Sequence, residues 1–380
     1  MIARMKSPSL MMLTVFGLSL VSGPVSAAAA PAKPAPSPVA SPTPSAPKLE
    51  KHDVLLMDLS INDQLVLTRM SPDGSCRQYL KQGGGFSPVL PSGNKGDDFA
   101  PTASADGKWL AFYSTRHGAA NLWICDASGL NQRALSDSDT PLAEFRPTGE
   151  PPIQFSPDSK WIAYLQGGDL WICSIGGLNP RSLTHEQGVS AFTWEPLGDA
   201  KDGKGAQDAK RLAYLRYGSI RSIGVSGQPD ELLAADAANY PTLSFNPNAK
   251  SHELFCFYNG VWKLNTLTKK RERLAGSFCF PNRVRSSPAG DTVAFLGFSS
   301  DVREEIFTAA PGKKGSTQLT LGGAAAPFYS KDGKWIYFTR KGGLWRISLQ
   351  GEKAYPVYTG SVFSASAGEL EYSAATGACP

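Results

Sequence analysis

Ala105-Asp106-Gly107-Lys108-Trp109-Leu110-Ala111-Phe112, Pro157-Asp158-Ser159-Lys160-Trp161-Ile162-Ala163-Tyr164 and Lys331-Asp332-Gly333-Lys334-Trp335-Ile336-Tyr337-Phe338 are three versions of one phrase. Each is followed, after a short polar gap, by a second apolar run: Leu122-Trp123-Ile124, Leu170-Trp171-Ile172 and Leu344-Trp345-Arg346-Ile347. Self-similarity of this kind decides architecture before any other signal does. The phrase opens on turn chemistry, because Pro presets the backbone angle at the second turn position and Asp or Ser bonds back to the main chain. Gly107 and Gly333 supply a permissive residue where Ser159 stands in the middle copy. The apolar run after the turn is short and nearly continuous, which is how a strand buried on both faces reads. A propeller blade sandwiched between two neighbours has such strands.

Weaker copies fill the gaps. Phe192-Thr193-Trp194-Glu195-Pro196 leads, after an insertion, to Arg211-Leu212-Ala213-Tyr214. Leu243-Ser244-Phe245-Asn246-Pro247 leads to Leu254-Phe255-Cys256-Phe257, and Arg285-Ser286-Ser287-Pro288 leads to Val293-Ala294-Phe295. Most units close on a polar residue followed by Leu, as in Arg133-Ala134-Leu135, Arg181-Ser182-Leu183-Thr184 and Gln318-Leu319-Thr320.

The ends break the frame. Asp53–Met57, Leu65–Leu67 and Arg77–Leu80 read as the second, third and fourth strands of a repeat without a first. Phe363–Tyr372 reads as a degenerate first strand. One blade made from both ends of the chain closes the ring and leaves no sheet edge at the seam. The expectation is an all-β propeller over 49–380, of seven four-stranded blades. Its 332 residues give about 47 per blade for seven, closer to a typical blade than the about 55 that six would need. Six is the alternative, if the terminal segments only flank the ring.

The pattern Ser-Pro-Asp-(Gly/Ser)-Lys, then Ile-Ala-Phe/Tyr, Leu-Trp-Ile and Arg-x-Leu-Thr resembles the WD40-like PD40 repeats of TolB-family β-propellers. It covers nearly everything after residue 50 and is sharpest at 104–135, 153–184 and 327–349. Such repeats also resemble the propellers of prolyl-oligopeptidase-type peptidases and oligogalacturonate lyases. The resemblance implies a periplasmic or secreted propeller that binds partners. TolB-family proteins carry an α/β domain ahead of the propeller, whereas here only residues 28–48 stand in that place. The chain also leaves no room for the α/β-hydrolase domain of the peptidases.

Composition agrees with short strands and turns. Of 380 residues, 41% are hydrophobic, only 19% are charged, and Gly (38) and Pro (29) are abundant. A net charge of +5 is too small over this length to argue for nucleic acid. Residues 1–27 read as an export signal, with Arg4 and Lys6 before the apolar run Leu10–Val21 and small residues at Val25-Ser26-Ala27. The run is too short for a stable membrane span. Residues 28–48, with Pro31, Pro34, Pro36, Pro38, Pro42, Pro44 and Pro47, read as an extended linker.

Chemistry is harder to find. There is no Gly-x-Ser-x-Gly elbow. His52, His117, His185 and His252 fall in different units, none at metal-ligand spacing from another, so neither a metal nor another cofactor is expected. Gly198-Asp199-Ala200-Lys201-Asp202-Gly203-Lys204 imitates a phosphate loop, but Gly205 stands where Ser or Thr is needed and no helix pattern follows. Cys125 and Cys173 hold the same repeat position and are expected as buried thiols. Cys76 and Cys379 belong to the two ends of the composite blade and are the disulfide candidate. The repeat-locked tryptophans are expected to pack between blades. Trp194, on a first strand near the channel, is kept as a ligand contact.

The function expected is a monomeric, non-enzymatic propeller that binds a protein or cell-envelope polymer through its loop faces or channel mouth. The candidate contacts are Glu144, Arg146, Trp194, the 198–210 insertion, and the basic residues Lys270, Arg271, Arg283 and Arg285. The alternative is a hydrolase or lyase acting on a polysaccharide or lactone at the channel. Intact-mass analysis of the mature protein is expected to find Ala28 at the N-terminus, and a species retaining Met1–Ala27 would refute export with cleavage.

Overall fold

The structure is a computed structural model that describes residues 49–137, 152–198, 211–236, 242–276, 283–313, 315–351 and 353–372. Its strands fall into seven antiparallel sheets. The first blade uses β1 (Glu50–Ile61), β2 (Gln64–Met70) and β3 (Arg77–Leu80), with β4 (Phe86–Ser87) as a short outer addition. The second is β5 (Asp98–Ala103), β6 (Trp109–Ser114), β7 (Asn121–Asp126) and β8 (Arg133–Ala134). The third is β9 (Ile153–Phe155), β10 (Trp161–Gln166), β11 (Asp169–Ser174) and β12 (Arg181–Ser182). The fourth is β13 (Val189–Trp194), β14 (Arg211–Arg216), β15 (Ser219–Gly224) and β16 (Asp230–Ala234). The fifth is β17 (Leu243–Phe245), β18 (Glu253–Phe257), β19 (Val261–Asn265) and β20 (Arg271–Ala275). The sixth is β21 (Arg285–Ser286), β22 (Val293–Phe298), β23 (Glu304–Ala309) and β24 (Thr317–Gln318). The seventh is β25 (Ala325–Tyr329), β26 (Trp335–Arg340), β27 (Gly343–Ser348) and β28 (Tyr355–Tyr358). Finally β29 (Val362–Tyr372) returns to the first blade and pairs with β1 from Glu50↔Tyr372 to Leu59↔Val362. The ring therefore has seven blades, and the first is built from both ends of the chain, as the broken repeats predicted.

Two recurring polar devices account for the repeat motif. In the first, a serine closes the turn between a blade's first and second strands. Ser104 Oγ donates to Asp106 (2.5 Å) and accepts from Trp109 N (3.0 Å), while Ser104 N donates to Trp109 O (2.9 Å). Ser156 and Ser330 do the same with Asp158 and Trp161, and with Asp332 and Trp335. Ser159 takes the left-handed φ of 57° that glycine holds elsewhere. Its hydroxyl repays that conformation by accepting from Asp106 N of the second blade (3.0 Å).

The second device explains the Leu-Ser/Thr tail. Ser136, Thr184 and Thr320 each accept from the backbone of the adjacent third strand, at Leu122 N, Leu170 N and Ile306 N (2.8–3.0 Å). Each also donates to the side chain beginning that strand: Asn121, Asp169 and Glu305. Asp169 and Glu305 accept in addition from Gln187 N and Gly323 N, which fixes the connection to the next blade. The spacing of fifteen residues between partners is the same in all three copies.

Seven apolar clusters, one per blade–blade interface, form the core. Middle strands feed two at once: Ile162 and Tyr164 pack against the second blade, and Ala163 between them packs against the fourth. That alternation is why the apolar runs are continuous. Inner strands are also stitched across blades: Ser366 Oγ donates to Pro101 O, Gln154 Nε2 to Phe192 O, and Val284 N to Thr242 Oγ1.

The seam adds fixed polar contacts to its apolar packing. Arg69, 7% exposed, lies between the Phe86 and Tyr372 rings (4.3 and 4.0 Å) and donates to Ala127 O (2.9 Å) and Gln78 (2.7 Å). Burial pulls its pKa down to about 10, against the favourable influence of Tyr372. Glu369 of β29 joins Lys51 (3.0 Å) to Lys331 of the seventh blade (2.8 Å). Asp58 of β1 is fully buried; it accepts from Ser364 N (2.9 Å), the Ser364 hydroxyl and Ala100 N (3.2 Å). It thereby ties β1 to the inner strands of two blades at the point where the β29 register shifts.

Cys125 and Cys173 are buried thiols in different interfaces, as expected; burial pushes Cys173 up to about 12 and Cys125 higher still. Cys76 is disulfide-bonded, and its candidate partner Cys379 lies outside the described residues, as does Cys279. The turn that holds Cys76 and the end of β29 at Tyr372 lie at the same end of the first blade. The chain leaves β20 and enters β21 at the opposite end of the ring. Non-reducing peptide mapping is expected to join Cys76 to Cys379, and a Cys76–Cys279 link would contradict that.

Burial pushes the Asp58 carboxyl up to about 6, against the lowering effect of its hydrogen bonds from Ser364 and Ala100. The folded chain thus holds a proton between about pH 4 and 6 that the unfolded chain releases, so stability falls as pH rises through that window. Relative to Asp58→Asn, the wild type is expected to lose on the order of 3 kcal/mol of unfolding free energy between about pH 4 and pH 7. A constant difference across the titration would refute this.

Candidate functional site

A four-stranded meander places its turns at two ends. First-to-second and third-to-fourth strand turns share one face of the ring. Second-to-third strand turns and the connections between blades share the other, called here the connection face. On the connection face stand Tyr217 (73% exposed), Val302 (77%) and Leu321 (80%), together with exposed Tyr258 and Phe363. Apart from Phe363, which lies at the start of β29, they come from turns of the fourth, fifth and sixth blades and the connection after β24, where no repeat signal requires an apolar residue.

The structure separates the basic residues that are close in sequence. Lys270 and Arg271 are exposed at the outer strand of the fifth blade, where neighbouring Lys269 pairs with Glu231 (2.8 Å). Lys263 is held between Glu253 (3.1 Å) and Glu272 (2.9 Å). Arg283 and Arg285 instead lie at the innermost strand of the sixth blade, partly buried, with Arg285 donating to Val284 O (3.0 Å). They do not form one patch with Lys270 and Arg271. Glu144, Arg146 and residues 199–210 of the insertion lie outside the described residues. β8 ends and β9 begins at the connection face, whereas β13 ends and β14 begins at the opposite face. Trp194 ends an inner strand, but it is only 5% exposed and gives its indole N–H to Gln154 O (3.2 Å). It packs the interface between the third and fourth blades.

The histidines do not converge. His52 stacks on Tyr372 in the first blade, His117 meets Trp123 edge-on in the second, His185 follows β12, and His252 caps a short 3-10 turn in the fifth. Among the described residues, no three His, Cys, Asp or Glu side chains are grouped to hold a metal ion. Asp58 has a strongly shifted carboxyl, but its oxygens accept from Ser364 and Ala100 and none of its surface is exposed. It holds the seam together.

A cavity of about 650 Å³ lies between the second and third blades. Tyr164 and Trp171 form one wall, with ring centroids 6.4 Å apart and planes tilted by 30°. His117 and Asp137 line it from the second blade and Gln166 from the turn after β10. The sequence marked Trp171 as packing. It does pack against the second blade, but it stays half-buried and its remaining surface faces this cavity. No local motif announces the site, because its lining comes from two blades and from turns of both.

No protein-family model matches the chain. No curated protein matches it either. Solved structures do. An oligogalacturonate lyase from Vibrio parahaemolyticus is similar over 81% of this chain and 84% of its own, at 11% identity and a TM-score of 0.51. An oligogalacturonate lyase in complex with manganese is similar over 82% of this chain and 85% of its own, at 11% identity and 0.50. TolB from Acinetobacter baumannii is similar over 83% of this chain at 14% identity and 0.48, and the chain spans 66% of that TolB's length. What the two lyase structures share with this chain is the fold alone, a β-propeller, which here has seven blades.

Proposed function

We propose that the chain is an exported, periplasmic or secreted propeller that binds a protein or cell-envelope polymer through its connection face and carries out no chemistry of its own. The observation that carries this reading is the set of large apolar side chains exposed on that face, led by Tyr217, Val302 and Leu321. Exposed apolar groups on a rigid scaffold are what a docking surface needs; the opposite face also exposes Leu130, Leu178 and Leu267, and the connection face is set apart by carrying the three most exposed, Leu321, Val302 and Tyr217. Arg283 and Arg285 beside the inner strands add positive charge on the same side. Export rests on the signal-like residues 1–27.

The three leading side chains are exposed, so replacing them leaves the core intact. In crosslinked pull-downs from envelope extract, the wild type is expected to enrich a partner that Tyr217→Asp/Val302→Asp/Leu321→Asp loses. Identical recovery by both proteins, or no enrichment by the wild type, would count against the reading.

A further inference from the structure

We infer that the cavity between the second and third blades is a binding site for a neutral saccharide ring. Its volume of about 650 Å³ falls in the range of small-ligand pockets, roughly 300–1,000 Å³. Its chemistry is divided between two sides. The half-buried Trp171 supplies the aromatic wall, with the almost wholly buried Tyr164 ring 6.4 Å away and tilted by 30°. A planar aromatic ligand is best held in a slot between parallel rings, and among the described residues no second Trp, Tyr or Phe lines the cavity opposite this wall. A pyranose has one face of C–H groups that packs on such a wall, and a rim of hydroxyls that needs partners on the other side.

Those partners are present and uncommitted. Among the described residues, the side chains of His117, Asp137 and Gln166 make no hydrogen bond within the protein, although all three line the cavity. An imidazole, a carboxylate and an amide supply both donors and acceptors for hydroxyl groups. His117 is braced from behind. Its ring meets Trp123 edge-on at 5.1 Å, and the Arg116 guanidinium covers Trp123 at 4.2 Å while gripping Asp98 at 2.8 and 3.0 Å. The Trp123 Nε1 is buried without a partner, so this layer stays in place by packing.

Charge selects among sugars. Among the described residues no Lys or Arg lines the cavity, and Asp137 presents a carboxylate. Arg116, beside His117 in sequence, is already paired with Asp98. A uronate or sugar phosphate would bring a negative charge with no cation to meet it, which is costly in a partly enclosed site. A neutral ring avoids that cost. The site lies between two blades at the turns and blade exit of the connection face, so a docked partner and a saccharide would be neighbours there.

The test is isothermal titration of the full-length mature protein with maltotetraose, cellotetraose and chitotetraose, and with tetragalacturonate as the acidic comparison. At least one neutral oligomer is expected to bind with a Kd of about 1 mM or tighter. Trp171→Ala should weaken that binding by about tenfold or more, and tetragalacturonate should bind at least tenfold more weakly than the neutral ligand. Because Trp171 also packs, Gln166→Ala, on the hairpin turn, is the second variant and should weaken binding several-fold at an unchanged Tm. Absence of saturable binding by all three neutral oligomers would overturn the inference. So would binding unaffected by both substitutions, or tetragalacturonate binding as tightly as the neutral ligand.

Discussion

The backbone pairing of β29 with β1 holds the ring closed, and every other blade depends on it. A blade here has no core of its own; its apolar side chains are shared with the blade on either side. Opening the ring at any point exposes two such faces at once. β29 itself buries Val362, Leu370 and Tyr372. At roughly 1.5–3 kcal/mol for each fully buried side chain, an upper bound, these three contribute several kcal/mol. The net stability of a typical domain is about 5–15 kcal/mol, so the last strand decides whether the first fifty residues of the ring fold at all.

Polar contacts refine what the apolar clusters cannot. Apolar burial is non-directional and would tolerate small rotations of one blade on the next. The seam is pinned instead by groups with fixed geometry: Arg69 between two rings, Asp58 on the backbone of two inner strands, and Glu369 between two lysines. The Ser/Thr tails do similar work elsewhere, anchoring each blade's last strand and its exit toward the next blade. With the blades fixed in this way, the connections are free to vary, and the most exposed apolar side chains are found where the repeat imposes no residue.

Much of this architecture was legible in the sequence because it is local and repeated. The Ser-x-Asp turn, the continuous apolar strands and the broken terminal copies all report on neighbours a few residues away, or on a missing strand. What was not legible comes from non-local placement. Lys270, Arg271, Arg283 and Arg285 look like one cluster along the chain, yet an outer strand of one blade and the inner strand of the next hold them apart. Trp194 was expected near a ligand because inner strands border the channel, but its side chain turns into the interface. Trp171 shares its motif with Trp123, and only the neighbouring blade determines which of the two borders a cavity. Asp58 and Arg69 carry no sequence signal of burial, since each is one charged residue within an ordinary strand.

Native-state hydrogen exchange on the full chain and on a chain ending at Ser361 tests ring closure most directly. Without β29, the β1 amides that pair with it are expected to lose protection. Protection should also collapse in β26 and β27 and in β6 and β7, the strands that pack on the first blade from either side. If those four strands keep full protection while only β1 exchanges, the blades are stable one by one, and the account of a ring held shut by its two ends is wrong.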